Sequence, residues 1–306
     1  MRFVVAAAVF FGALLAAETS FAFCRQTTCA EGETCDRNTK PDCVHDGIAV
    51  RWNTTTLPYR IYAKGSSKLD DDEMKKAVRA AFDAWQTVDC DRGRTSLRFV
   101  EGEPITKDKP LGLSADEAED AGVEPYGIYF RDKKWTHDGS DDVLAATGLA
   151  FGLNRGIVSY ADIEVNTFGG DFTMDDDQSA KAVDLQAVLT HEVGHYLGLA
   201  HSLDPDSIMA PRYCTSEERC ETNGVVGKRA LGEDDIAAVC AFFPPGLTTK
   251  SLRATTFPSD DSATGAGGCS SAGQPGAPVA PVAPLAPVAS AAVPLAILAL
   301  RRRRRA

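Results

Sequence analysis

Apolar residues along this chain recur with three different spacings, and each spacing predicts a different kind of element. From Phe3 to Ala17 they run almost unbroken behind a basic Arg2, and small residues follow at Ser20 and Ala22. A run this short falls below the roughly 20 residues of a membrane span, so residues 1–22 read as a secretory signal peptide cleaved after Ala22. In "TLPYRIYA", Thr56 to Ala63, alternation puts Leu57, Tyr59, Ile61 and Ala63 on one face of a strand. Between Leu69 and Val88 the spacing changes to three and four, through Met74, Ala77, Val78, Ala81, Phe82, Trp85 and Val88. Behind the acidic turn Asp70 to Glu73, that is an amphipathic helix whose dipole is complemented at its start.

Four more strands follow, in "TSLRFVEG", in "YGIYFRD", within Val143 to Phe151 and in "GIVSYADIEVN". A second long helix is predicted from Ala180 to Gly198, with Val183, Ala187, Val188, Leu189 and Val193 as its apolar positions. A short closing helix in "GEDDIAAVCAFFPP" places Ile236, Val239, Cys240 and Phe243 on one face and stops at Pro244. Strand, helix, several strands, helix, helix is the order of an α+β domain, a sheet backed by two long helices, rather than an alternating doubly wound fold.

Composition divides the chain further. Residues 23–47 are dense in cysteine and poor in apolar periodicity, which predicts a disulfide-held strap ahead of a domain spanning 48–246. Export makes disulfides the natural state of Cys24, Cys29, Cys35, Cys43, Cys90, Cys214, Cys220 and Cys240, an even set that predicts four bridges of unspecified pairing. Residues 247–268 read as a linker. From 269 to 306 an odd Cys269 precedes a Pro/Ala/Val tract, an apolar end and the five arginines Arg301 to Arg305. The net charge is −11 although the tail carries those arginines, so the domain lacks the positive surface a nucleic-acid partner requires.

Three of the five histidines fall within "HEVGHYLGLAH". An offset of four on a helix brings His191 and His195 to one face, where both imidazoles can meet one ion. Gly198 tolerates the positive φ of a sharp helix exit, so the chain can reverse and bring in His201. Three neutral imidazoles leave a tetrahedral ion one place for water, the open arrangement of a catalytic zinc site. Glu192, next to the first histidine, can reach that water as general base without being a ligand.

The same stretch resembles the zinc motif of the metzincin metallopeptidases, and Ser202 after the third histidine is similar to the matrixin branch. "LDPDSIMAPRY" resembles the matrixin methionine turn, which implies that Met209 lies beneath the histidines. Pro211 and Tyr213 match the segment that walls the pocket for the residue after the scissile bond. "VRWNTTTLPYRIY", "AVRAAFDAWQTV" and "GEDDIAAVCAFF" resemble the first strand, first helix and last helix, so the resemblance spans about residues 50 to 245. It implies a zincin-like catalytic domain with a mixed twisted sheet and a short helix after the methionine turn. "VLAATGLAF" stands where matrixins pair with an extended peptide substrate.

Departures from the family narrow the expectations. Of the histidines that hold a second zinc in animal matrixins only His137 stands near such a position, which leaves one catalytic Zn2+. Acidic Asp141, Asp142, Asp162 and Glu164 are candidates for Ca2+, with ordinary solvated carboxylates as the other reading. No cysteine-switch propeptide motif is recognisable. The tail is similar to the sorting tails of myxobacterial surface proteins, which implies that Cys269 is a processing and anchoring residue. The expectation is a monomeric, exported zinc endopeptidase of protein or peptide substrates, at the cell surface, outer membrane or outside the cell. It would meet a membrane only through its tail. The alternative is a surface binding protein on a catalytically lapsed scaffold.

Overall fold

A computed structural model describes residues 23–28, 47–110, 113, 117–118, 121–135, 143–174, 183–214, 224–226, 229–254 and 296–302. The signal-like residues 1–22, most of the strap, His137, Asp141, Asp142 and Cys269 lie outside them.

The chain order is β1 (Thr56–Ile61), a helix Asp71–Gln86, β2 (Asp89–Cys90), β3 (Gly93–Arg94), β4 (Arg98–Glu101), β5 (Gly127–Phe130), β6 (Val143–Phe151) and β7 (Val158–Val165). β8 (Phe172–Thr173) and β9 (Val183–Asp184) lead into the site helix Leu185–Tyr196. After it come β10 (Arg212–Cys214), β11 (Gly224–Val226), the closing helix Glu233–Phe242, a short helix Thr249–Ala254 and β12 (Ala296–Arg302). The main sheet runs β11-β10-β12-β6-β7-β5-β1-β4. β4, β1, β5 and β7 are mutually parallel, and β6 is antiparallel to β7. This is the expected mixed sheet of an α+β fold.

Both long helices pack on the sheet and on each other. The first starts on Asp70, whose side chain accepts from the Glu73 backbone N–H, and it buries Met74, Ala77, Val78, Ala81, Phe82 and Trp85. Phe82 stacks on Tyr59 of β1 with ring centroids 3.9 Å apart and meets Phe99 of β4 edge-on. The Trp85 indole N–H donates to the Thr190 carbonyl at 2.9 Å, tying the first helix to the site helix in the core. Cys90 and Cys240 form one of the expected disulfides, closing the strand after the first helix onto the closing helix, and Cys24 is disulfide-bonded as well.

Five details differ from the pattern-based expectation. The site helix starts at Leu185 on its Asp184 cap, and Val183, expected within it, lies in β9. β1 ends at Ile61, and Ala63 is exposed in the turn that follows. The closing helix turns Asp234 and Asp235 inward and leaves Ile236 exposed, because the aspartates have hydrogen-bond donors waiting in the core side of the domain. Residues 249–254 of the expected linker are helical, and Thr249 Oγ1 accepts from the Thr55 backbone N–H at 3.1 Å. Finally, residues 296–302 of the tail form a strand between β6 and β10.

Candidate metal centre

The site helix begins on Asp184, whose carboxylate accepts from the Ala187 backbone N–H at 2.8 Å and pairs with Arg229 at 2.7 Å. It ends where Gly198 adopts φ +98°. A side chain there would meet the Val50 carbonyl oxygen at 2.9 Å, so glycine is required both for the turn and for the close approach of Val50. Residues 24–26 line this turn: Gln26 N–H donates to Gly198 and Ala200 N–H to Cys24.

The reversal delivers His201 to the two helical histidines. His191 Nε2 lies 3.0 Å from His195 Nε2, which lies 3.3 Å from His201 Nε2. The other ring nitrogens are held by the backbone: His191 Nδ1–H donates to the Ile208 carbonyl at 2.6 Å and His195 Nδ1–H to the Leu199 carbonyl at 2.8 Å. Those carbonyls fix the tautomer, leaving each Nε2 with its lone pair directed into the cluster. Burial, with His201 close by, pushes His191 down to about 3, and burial with both neighbours pushes His195 well below the ordinary imidazole range. Both therefore stay neutral, the state a metal ligand needs. Among the described residues these three form the one group of three or more His, Cys, Asp or Glu able to share an ion. Three imidazole nitrogen donors within reach of one centre fit zinc.

Met209, 2% exposed, directly follows Ile208, whose carbonyl holds His191. It is seated against Gly194, where an added Cβ would stand 2.1 Å from the Met209 sulfur. The turn carrying Met209 is bolted to the closing helix. Asp235 accepts from Ser207 Oγ, Ile208 N–H and Gly232 N–H at 2.6–2.8 Å, and Ser207 Oγ accepts in turn from Met209 N–H at 2.9 Å. Ser202 completes the clamp: its N–H donates to the Met209 carbonyl and its hydroxyl to Asp234 at 2.7 Å. Glu192 is fully buried, and Thr147 Oγ1 of β6 lies 2.6 Å from its Oε2.

A family profile described as Matrixin matches residues 51–243. The chain belongs to the matrixin family. Matrix metalloproteinase-C of Caenorhabditis elegans is 29% identical over 66% of this chain and 30% of its own length. Human neutrophil collagenase is 27% identical over 76% of this chain and 44% of its own, and karilysin of Tannerella forsythia 28% identical over 62% and 32%. The chain thus spans less than half the length of these relatives. Matrixins use a catalytic zinc, and this triad could hold it.

Of the other predicted site residues, Tyr213 is buried on β10 with its hydroxyl accepting from Asp184 N–H at 2.9 Å, and Pro211 is half-buried just before it. The calcium candidates Asp162 and Glu164 do not face solvent. Asp162 is ion-paired with Lys109 and accepts from the Tyr160 hydroxyl, while Glu164 pairs with Arg131 at 2.7 Å. Arg131 also bridges to Asp108 and to the Lys109 carbonyl. Sequence reasoning missed Thr147, Lys109, Arg131, Asp234 and Asp235. Even the aspartate pair carried no periodic signal, since Asp234 and Asp235 lie off the face of Ile236, Val239, Cys240 and Phe243 that the spacing predicts to be buried.

Proposed function

We propose that the protein is an exported zinc endopeptidase that hydrolyses peptide bonds in extracellular proteins. The observation that carries this reading is the convergence of three imidazole nitrogens, two of them oriented by backbone carbonyls and kept neutral by burial, with a fully buried glutamate one residue from the first of them. Zinc held there would polarise the scissile carbonyl and acidify a water toward a pKa of about 7. Glu192 takes the proton of the attacking water on its carboxylate and passes it to the leaving amine nitrogen. Thr147 orients that carboxylate, and Met209 with the Asp235-held turn fixes the histidine nearest it. An extended substrate pairs its backbone with the edge of β6, while Pro211 and Tyr213 wall the pocket for the residue after the cleaved bond.

The signal-like residues 1–22 and the disulfides support export, and Cys269 with the apolar and arginine-rich tail supports anchoring at the surface. Zinc content and cleavage of casein or gelatin, measured for wild type beside Glu192→Ala, test the chemistry. Wild type should bind zinc and cleave; the variant should bind zinc and lose almost all cleavage. Zinc-loaded wild type that cuts no protein or peptide in a broad library would sink the endopeptidase reading. Fractionation of Cys269→Ser tests the anchor, and an unchanged distribution refutes it.

A further inference from the structure

The peptide-pairing edge of the sheet is occupied by the chain itself. β12 runs antiparallel to β6, with Ala296 opposite Leu149, Leu298 opposite Thr147 and Leu300 opposite Ala145. It then runs parallel to β10, with Arg301 opposite Arg212 and Arg302 opposite Tyr213. Its backbone thus leads from the residue whose hydroxyl touches Glu192 to the strand that bears the pocket-wall tyrosine. An open edge strand offers a row of backbone donors and acceptors that captures an extended peptide. β6 offers no such row here: all nine of its residues are buried, with β7 along one edge and β12 along the other. The site helix packs against β12 as well.

We propose that Ala296–Arg302 is an intramolecular ligand of the cleft, an apolar-then-basic peptide that pairs with β6 and β10 and competes with substrate for that slot. What it competes with rests on the peptidase reading, whereas the docking rests on the strand register alone. The roughly 40 residues between Ala254 and Ala296 keep the segment on the same molecule. Tethering of this kind gives an effective concentration in the mM range, so a peptide of ~0.1 mM intrinsic affinity would occupy the slot about nine-tenths of the time. Any event that withdraws the segment, such as removal by processing or transfer to a membrane, then opens the cleft.

The test uses the zinc-loaded full chain and its double variant Leu298→Pro/Ala299→Pro. Neighbouring residues of a strand direct their N–H groups to opposite sides, so one of the two prolines must delete a donor to β6. Among the residues whose burial is described, the main core lies between Val50 and Phe243, and the two substitutions change none of these. Hydrogen exchange of Val143–Phe151 should show extra protection in wild type that the variant loses. A fluorescent peptide PLAILALRRR should bind the variant and be excluded from wild type. KM for a peptide substrate should fall about tenfold in the variant with kcat unchanged, as expected when a competing occupant is removed. Equal exchange in the two proteins overturns the docking, and altered exchange with equal KM overturns the competition. Altered exchange in two zinc-loaded proteins that both fail to cleave would refute the peptidase reading while leaving the docking standing.

Discussion

Thr147 Oγ1 and Glu192 Oε2 lie 2.6 Å apart, joining β6, the strand proposed to receive peptide, to the carboxylate proposed as base. The same hydroxyl lies 3.1 Å from the Glu192 carbonyl, but its single hydrogen serves the nearer carboxylate oxygen. A hydrogen bond to a charged group contributes about 1.5–3 kcal/mol. Thr147→Val keeps the shape and removes the hydroxyl. The expected result is kcat lower by about ten- to a hundredfold with KM and zinc content near wild type. Steady-state kinetics beside metal analysis checks this; a wild-type kcat would show that the hydroxyl does not position the base.

Gly194 and Met209 form the second contact on which the centre depends. Alanine at 194 would put its Cβ 2.1 Å from the Met209 sulfur and 3.0 Å from Trp85 Cζ2, both in the packed core. Methionine is flexible, but this one is enclosed and would have to push the 207–209 turn outward. Gly194→Ala should therefore lower stability by about 1–3 kcal/mol and weaken zinc binding. Thermal unfolding and competition against a chelator measure the two effects. The double variant Gly194→Ala/Met209→Ala should recover part of both, since the severe contact with the sulfur is then absent and only the tight one with Trp85 remains.

The strands β1 and β4 to β7, the two long helices and the triad were legible because each obeys a short-range rule. Period two marks β1, period 3.6 marks the Trp85 helix, and an offset of four aligns His191 with His195. The glycine exit at Gly198 was legible for the same reason, since a positive φ is a local demand. What escaped notice depends on partners far away in sequence. Lys109 meets Asp162 only once β7 is in the sheet, and Thr147 meets Glu192 only once the site helix lies across β6. The tail strand is the strongest case: its apolar run and arginines support membrane sorting and strand pairing equally well, and only the register distinguishes them.

Lys109 and Arg131 fill, with their own charges, the place where Asp162 and Glu164 were expected to receive calcium. Both cations are buried with their carboxylates. Removing one partner of a buried pair strands the other, at a cost of about 3–5 kcal/mol. Lys109→Met should show a loss of that size in urea unfolding. Lys109→Met/Asp162→Asn should regain much of it, because no uncompensated charge then remains. A single variant as stable as wild type would mean that Tyr160 alone suffices for Asp162.

Asp235 links stability to acidity through the turn that holds His191. Burial raises its carboxyl to about 6 against the three hydrogen bonds from Ser207, Ile208 and Gly232, which favour the ionised form. In the unfolded chain the group titrates near 3.8, so between the two values the folded protein binds the extra proton. Its contribution to stability is complete below about 3.8 and is lost as pH rises through about 6. Asp235→Asn mimics the protonated side chain, whose oxygen can still accept from Ile208 and Gly232 while its donor faces Ser207. Metal-free wild type should thus gain stability relative to Asp235→Asn on going from pH 7.5 to 4.5, by at most about 3 kcal/mol. Asp235→Ala, which leaves three donors without an acceptor, should instead be destabilised at every pH. It should also bind zinc about 10–100-fold more weakly, because Ile208 positions His191 through its carbonyl. Urea titrations of the three proteins at the two pH values measure the difference, and a gap between wild type and Asp235→Asn that does not move with pH would refute the assignment.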